Sequence, residues 1–148
     1  MKRDTFFHRY YRVQKAMAEM AELELAAVRE EEALVAQRLE AIRTARQTAG
    51  DDMQWTAESP RGAWWRQWAD YLARLDAEAR AAEERLRAVS ALAAEKQAAA
   101  IAAYQRAKVW ETWVQRLRAS ARWQQSRDEQ RQADELAMLR HATGGRRS

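Results

Sequence analysis

Apolar residues recur at alternating gaps of four and three from Trp68 onward, at Leu72, Leu75, Ala79, Ala82, Leu86, Val89 and Ala93. An α-helix turns once in about 3.6 residues, so this spacing draws a narrow apolar stripe that only another helix can cover. The positions between are mostly Arg, Glu, Asp, Gln and Ala, which make a solvated surface. Past Ala93 the same count lands on Lys96, Ala100, Ala103 and Ala107, where the stripe weakens without changing register. It strengthens again at Trp110, Val114, Leu117 and Ala121. The pattern predicts a helix from about residue 60 to 140, ~120 Å long at ~1.5 Å per residue. Ser59 as N-cap and Pro60 in the first turn mark its start, and residues 141–148 are expected to fray.

A first helix is predicted over about residues 4–48, a stretch without proline or glycine in which Asp4 or Thr5 serves as N-cap. Its apolar positions are Phe6, Tyr10, Val13, Met17 and Met20, then Val28, Val35, Leu39 and Ile42. Met17, Ala21, Leu25 and Val28 join the two stretches through successive gaps of four, a stutter that relaxes supercoiling. Ala49-Gly50-Asp51-Asp52 is expected to end the helix, leaving a connection over about residues 49–59 with a helical turn around Trp55.

The expected architecture is therefore all-α: a long two-helix antiparallel coiled-coil hairpin in one elongated domain, the second helix longer than the first. Folding about residue ~55 pairs position i with roughly 110 − i. That register sets Glu30, Glu31 and Glu32 against Arg74, Arg80 and Arg85, and Val35 near Leu75. It places Phe6, Phe7, Tyr10 and Tyr11 beside Tyr104 and near Trp110, and leaves residues beyond about 108 without an intramolecular partner.

Composition narrows the class further. The chain has 148 residues, 47% hydrophobic and 32% charged, with only 4 Gly and 1 Pro. Its mean hydropathy is nevertheless −0.76, because alanine supplies much of the hydrophobic count. Strong helix formers without turn signals exclude a compact globule of several elements. With no cysteine there is no disulfide framework, thiolate metal site or cysteine nucleophile, as suits a reducing cytoplasm. No apolar run approaches 18 residues and no signal-peptide core follows the basic start, so a cytoplasmic chain without a transmembrane segment is expected. The net charge is +4, but 22 acids interleave with 26 bases, a balance that does not require nucleic acid as partner.

Enzyme chemistry finds no support. His8 and His141 lie at opposite ends of the sequence, no phosphate-binding glycine loop occurs, and Asp51-Asp52 falls in the expected solvated turn. Two paired helices offer no concave site, so no catalytic residue, metal or cofactor is assigned.

Two clusters remain as candidate binding surfaces. Of seven tryptophans, Trp68 and Trp110 read as seam residues. Trp64 and Trp65 are adjacent, ~100° apart around a helix, and cannot both enter a narrow seam. An exposed tryptophan near the hairpin tip reads as a docking anchor, and Trp123 in the unpaired stretch invites a partner too. The second cluster is basic: Lys2, Arg3, Arg9, Arg12 and Lys15 at the amino end, with Lys96, Arg106, Lys108, Arg116, Arg118 and Arg122 within residues 95–122. The expected register brings them to one end, where they suit an acidic protein surface better than a phosphate backbone.

Two stretches carry a family resemblance. Trp65-Arg-Gln-Trp-Ala-Asp-Tyr71-Leu-Ala-Arg-Leu75 is similar to the W-x5-[FY]-x3-L opening of the second helix in the FliJ/YscO family of type III secretion proteins. Glu129-Gln-Arg-Gln-Ala-Asp134-Glu135-Leu136-Ala137 resembles that family's D-Q-K-x-x-D-E-[FL]-A close. The resemblance implies a cytoplasmic stalk like the γ subunit of rotary ATPases, whose termini sit in the hole of a hexameric export ATPase. Its hairpin side reaches the cytoplasmic ring of the export gate, and some members also handle secretion chaperones. It implies gate contact through Tyr71 and Leu75, with Trp65 beside them, and it places the ATPase at the end where the expected register gathers Lys2, Arg3, Arg9, Arg12, Lys96, Arg106 and Lys108, which are therefore the expected ATPase contacts. The wealth of tryptophan and the Ala/Arg-rich composition depart from the family pattern and tilt the reading from the flagellar system towards a virulence injectisome. Two other readings fit the residues: a generic coiled-coil scaffold or adaptor that forms helical bundles, and a helical nucleic-acid binder, against which the interleaved acids argue.

Overall fold

The computed structural model describes residues 2–56 and 62–145, and they form two helices without a strand: α1, Lys2–Thr56, and the longer α2, Gly62–Gly145. The expected Ser59-Pro60 start of the second helix lies outside the described residues. α1 begins ahead of Asp4 and Thr5, so neither is its N-cap. It also runs through Ala49-Gly50-Asp51-Asp52, where a stop is expected. Ala49 is buried in a cluster with Leu39, Ile42, Leu75 and Ala82, and that packing outweighs the ~1 kcal/mol helix penalty of one glycine. α2 likewise continues to Gly145, with the Thr143 hydroxyl donating to the carbonyl of Leu139 at 2.9 Å, and residues 146–148 of the tail expected to fray lie outside the described residues.

Gly50 has an ordinary helical backbone, and a Cβ there would meet only the Nη1 end of the Arg46 side chain, at 3.0 Å. Gly50→Ala should therefore raise stability by about 0.5–1 kcal/mol. A loss of stability in urea unfolding would mean that the Arg46 side chain cannot give way.

By packing, the chain divides into two units, Glu19–Ala102 and Met1–Ala18 with Ala103–Ser148. In the first unit α1 and α2 run antiparallel. The α2 stripe predicted from sequence is the seam: Leu75, Ala82, Val89, Ala93 and Ala100 are buried, and Trp68, Leu72, Ala79, Leu86 and Lys96 are half-buried between them. The α1 seam follows a strict heptad through Ala21, Leu25, Val28, Glu32, Val35, Leu39, Ile42, Arg46 and Ala49, with no stutter.

Cross-helix polar pairs fix the register. Arg46 Nε bonds Asp76 Oδ1 at 2.9 Å, Arg43 Nη2 bonds Glu83 Oε1 at 3.2 Å, and Lys96 Nζ bonds Glu24 Oε2 at 3.1 Å. Arg85 bonds Glu31, and Arg29 donates to Gln97 at 3.2 Å. These pairs and the seam layers set position i opposite about 121 − i, so the expected 110 − i is wrong by roughly three helical turns. The reason is the longer α1. Moving the exchange point from residue 55 to between Thr56 and Gly62 shifts every partner by twice that distance. Of the expected charge pairs only Glu31–Arg85 forms; Arg80 donates to the Asp76 carbonyl and Arg74 lies over the Tyr71 ring. Such half-exposed pairs contribute about 0–1 kcal/mol each, so they select the register while the seam supplies the stability.

In the second unit Ala18 on α1 and Ala103, Ala107 and Val114 on α2 are buried, with Phe7, Tyr11, Gln14, Trp110 and Leu117 half-buried. Phe6, Tyr10, Val13 and Met17, expected in the seam, are exposed. α1 is continuous, so counting back by sevens from Leu39 and Ile42 reaches Gln14, Ala18, Phe7 and Tyr11 and never Phe6. From Arg118 to Gly144 every residue is exposed, so the unpaired stretch begins about ten residues later than expected.

Candidate functional site

The aromatic cluster near the start of α2 lies on consecutive turns of one helix. Trp64 packs on Trp65 edge to face at 6.4 Å and on Trp68 at 5.5 Å, and Trp68 meets Tyr71 at 6.1 Å. Arg74 continues the row, 5.9 Å from the Tyr71 ring. Trp68 alone packs against the apolar core, and Trp64 and Trp65 are half-buried. Tyr71 is exposed and lines a shallow depression with Gln67 and Trp68. The rings pack against one another along the helix and leave Tyr71 uncovered.

Leu75, expected beside Tyr71 as a docking residue, is only 7% exposed and belongs to the core with Leu39, Ile42 and Ala49. The four-residue step from Tyr71 to Leu75 turns ~40°, from the flank of the seam into it, because Leu75 sits on the heptad count from Trp68. It is a packing residue and drops out of the candidate set.

The basic candidates are divided between the two units. Lys96 lies in the unit Glu19–Ala102, half-buried and paired with Glu24. Arg3, Arg9 and Arg12 are exposed on α1 and Arg106 is exposed on α2, all in the other unit. Of Lys2 only the backbone, at the first position of α1, is described. Lys108 is two residues from Arg106 and so points to the opposite flank. There it bonds Glu111 Oε2 at 3.1 Å and lies 5.9 Å from the Tyr104 ring. The hydrogen bond to Glu111 and that carboxylate's charge raise its pKa above the usual ammonium range, so Lys108 stays charged across physiological pH.

Two further features escaped the sequence reading. Arg116 lies 5.7 Å from the Trp113 ring and Arg127 4.8 Å from the Trp123 ring, both rings being exposed. The i, i+3 and i, i+4 spacing of these pairs was a signal available in the sequence. The second is the apolar row Phe6, Tyr10, Val13 and Met17, taken as seam and found open. Its rings are ordered: Phe6 meets Tyr10 at 5.7 Å, and Tyr10 and Phe7 meet Trp110 at 4.5 and 5.8 Å.

Among the described residues no group of three or more His, Cys, Asp or Glu could hold a metal ion, and no helix is long and apolar enough to cross a membrane. No curated protein and no solved structure gives a significant match. One family model does match, over residues 11–146, and its description is flagellar FliJ protein.

Proposed function

The chain belongs to the FliJ family, and on that premise we propose that it is the central stalk of a type III export ATPase of the flagellar kind, acting without catalysis or cofactor at the cytoplasmic face of the export apparatus. In this reading the unit that carries both termini enters the hexameric ATPase, and the aromatic surface of Trp65 and Tyr71 meets the cytoplasmic ring of the export gate. The observation that carries it is the extent of the match, which takes in both motif stretches and nearly all of both helices. The family's flagellar description supports the flagellar system over an injectisome in this reading.

Two properties of the unit Met1–Ala18 with Ala103–Ser148 support the ATPase role. Arg3, Arg9, Arg12 and Arg106 are exposed on a narrow helix pair, as rim-like electrostatic contact with a surrounding ring requires. The exposed α2 segment from Arg118 to Gly144 supplies a single helix that can pass further than the pair.

The test is charge reversal at Arg3, Arg9 and Arg12 together. With the cognate export ATPase, Arg→Glu at all three should weaken association about tenfold or more at low salt and less at high salt. Helicity should not change, since all three side chains are exposed. Undiminished binding and ATPase stimulation at low ionic strength would reduce these arginines to a solvated face and remove them from the stalk contact.

A further inference from the structure

The packing of α1 is inverted with respect to its hydrophobicity in the terminal unit. The face closed against α2 carries Phe7, Tyr11, Gln14 and Ala18, while the face one residue earlier carries Phe6, Tyr10, Val13 and Met17. The second row is the more apolar, yet its members are 56%, 42%, 54% and 49% exposed. Both rows have the same four-three-four spacing. A helix with two heptad stripes offset by one residue, ~100° apart, is built to lie between two other helices. Only one of the two is supplied by this chain.

The same face continues on α2. Tyr10 touches Trp110 from the exposed row, at 4.5 Å. In an antiparallel pair this puts Val109 and Trp113, 56% and 49% exposed, on the side of Tyr10. The opposite side is where Lys108, Tyr104 and Glu111 gather, with Tyr11 close enough to act on Lys108. Six large apolar side chains thus share one face of the helix pair. Together they expose on the order of 500 Å², near the size at which patches on soluble proteins mark interaction sites.

Among the described residues, the charges bordering this face have one sign. Arg9 flanks the α1 row, Arg106 lies on the same α2 face as Val109 and Trp113, and Arg116 is over the Trp113 ring at 5.7 Å. Among the described residues of this unit the acid nearest the pair is Glu111, and it is bound to Lys108 on the far flank of α2. We propose that this face docks a third helix, contributed by a partner protein, that is apolar at its a and d positions and acidic on the flanking e and g positions. The helix closes a three-helix bundle over Phe6, Tyr10, Val13, Met17, Val109 and Trp113. The inference rests on the packing of this unit and not on the stalk reading.

A synthetic three-heptad peptide with Leu at a and d and Glu at e and g serves as probe, with a Lys-flanked peptide of the same core as control. Like charges at e and g keep either peptide from pairing with itself. Binding is read by fluorescence anisotropy of labelled peptide, and helix formation by circular dichroism. The Glu-flanked peptide should bind in the micromolar range and become helical, and the Lys-flanked one should bind at least about tenfold more weakly. The double variant Val13→Ser/Met17→Ser, at two exposed positions outside the seam, should keep its own helicity and lose at least about tenfold in peptide affinity. Equal affinity for both peptides, no binding at millimolar peptide, or full affinity in the double variant overturns the proposal. Sedimentation adds the remaining arm: self-association of the full chain that Val13→Ser/Met17→Ser abolishes would assign the face to a second copy, and would equally overturn it. None of these outcomes involves the export ATPase, so failure here is distinct from failure of the stalk reading.

Discussion

Leu75→Ala is expected to cost about 2–5 kcal/mol of stability, while Tyr71→Ala one helical turn earlier should change it by no more than about 0.5 kcal/mol. Leu75 packs in the cluster of Leu39, Ile42, Ala49 and Ala82, and a two-helix seam has few neighbours able to collapse into the vacancy. Tyr71 is exposed and touches Trp68 edge to face, so its truncation removes one ring contact and leaves the seam intact. Urea unfolding followed by far-ultraviolet circular dichroism separates the two. If Leu75→Ala unfolds at the wild-type midpoint, the helices do not meet where the packing puts them. The contrast also bears on docking. Any loss of partner binding in Leu75→Ala must be corrected for unfolding, whereas a loss in Tyr71→Ala at full helicity reports the aromatic surface itself.

Cysteines at Val35 and Leu86 should crosslink within one chain under mild oxidation, and cysteines at Val35 and Leu75 should not. Both Val35 and Leu86 are half-buried seam positions, and Val35 shares a groove with Ala82 and Arg85. Leu75 lies eleven residues from Leu86 along the same helix, ~16 Å at ~1.5 Å per residue. Disulfides need Cα atoms within about 7 Å, so no rotamer spans that gap. Efficient closure of Val35 with Leu75 at high dilution would restore the 110 − i register and undo the ion-pair assignments Arg46–Asp76 and Lys96–Glu24. Crosslinking only between chains would mean that the pairing helix comes from another molecule.

Sequence alone determined the two helices and the whole α2 seam. Every position counted from Trp68 to Leu117 is buried or half-buried, and only Ala121 is exposed. That stripe was legible because its heptad is strict from Trp68 onward and most positions between are charged, polar or alanine. The two stretches that resemble the FliJ/YscO family were also readable, and both lie inside the matched residues 11–146. What sequence could not decide was the phase and the partner of each position. On α1 two stripes compete, and hydrophobicity alone favours the Phe6 row. The closed face is the one that continues, by sevens along the α1 sequence, the heptad of Leu39 and Ile42. The register likewise depended on where α1 ends. Burial of Ala49 carries that helix past Gly50, and no local propensity contains the energy of that contact. Leu75 and Tyr71 show the same division: spacing made both motif residues, but only packing shows that one is core and the other surface. Local pattern fixes which residues are helical because backbone bonds within a helix are short-range. Which of two apolar faces closes, and opposite what, is a difference between long-range contacts that exist only once both helices are in place.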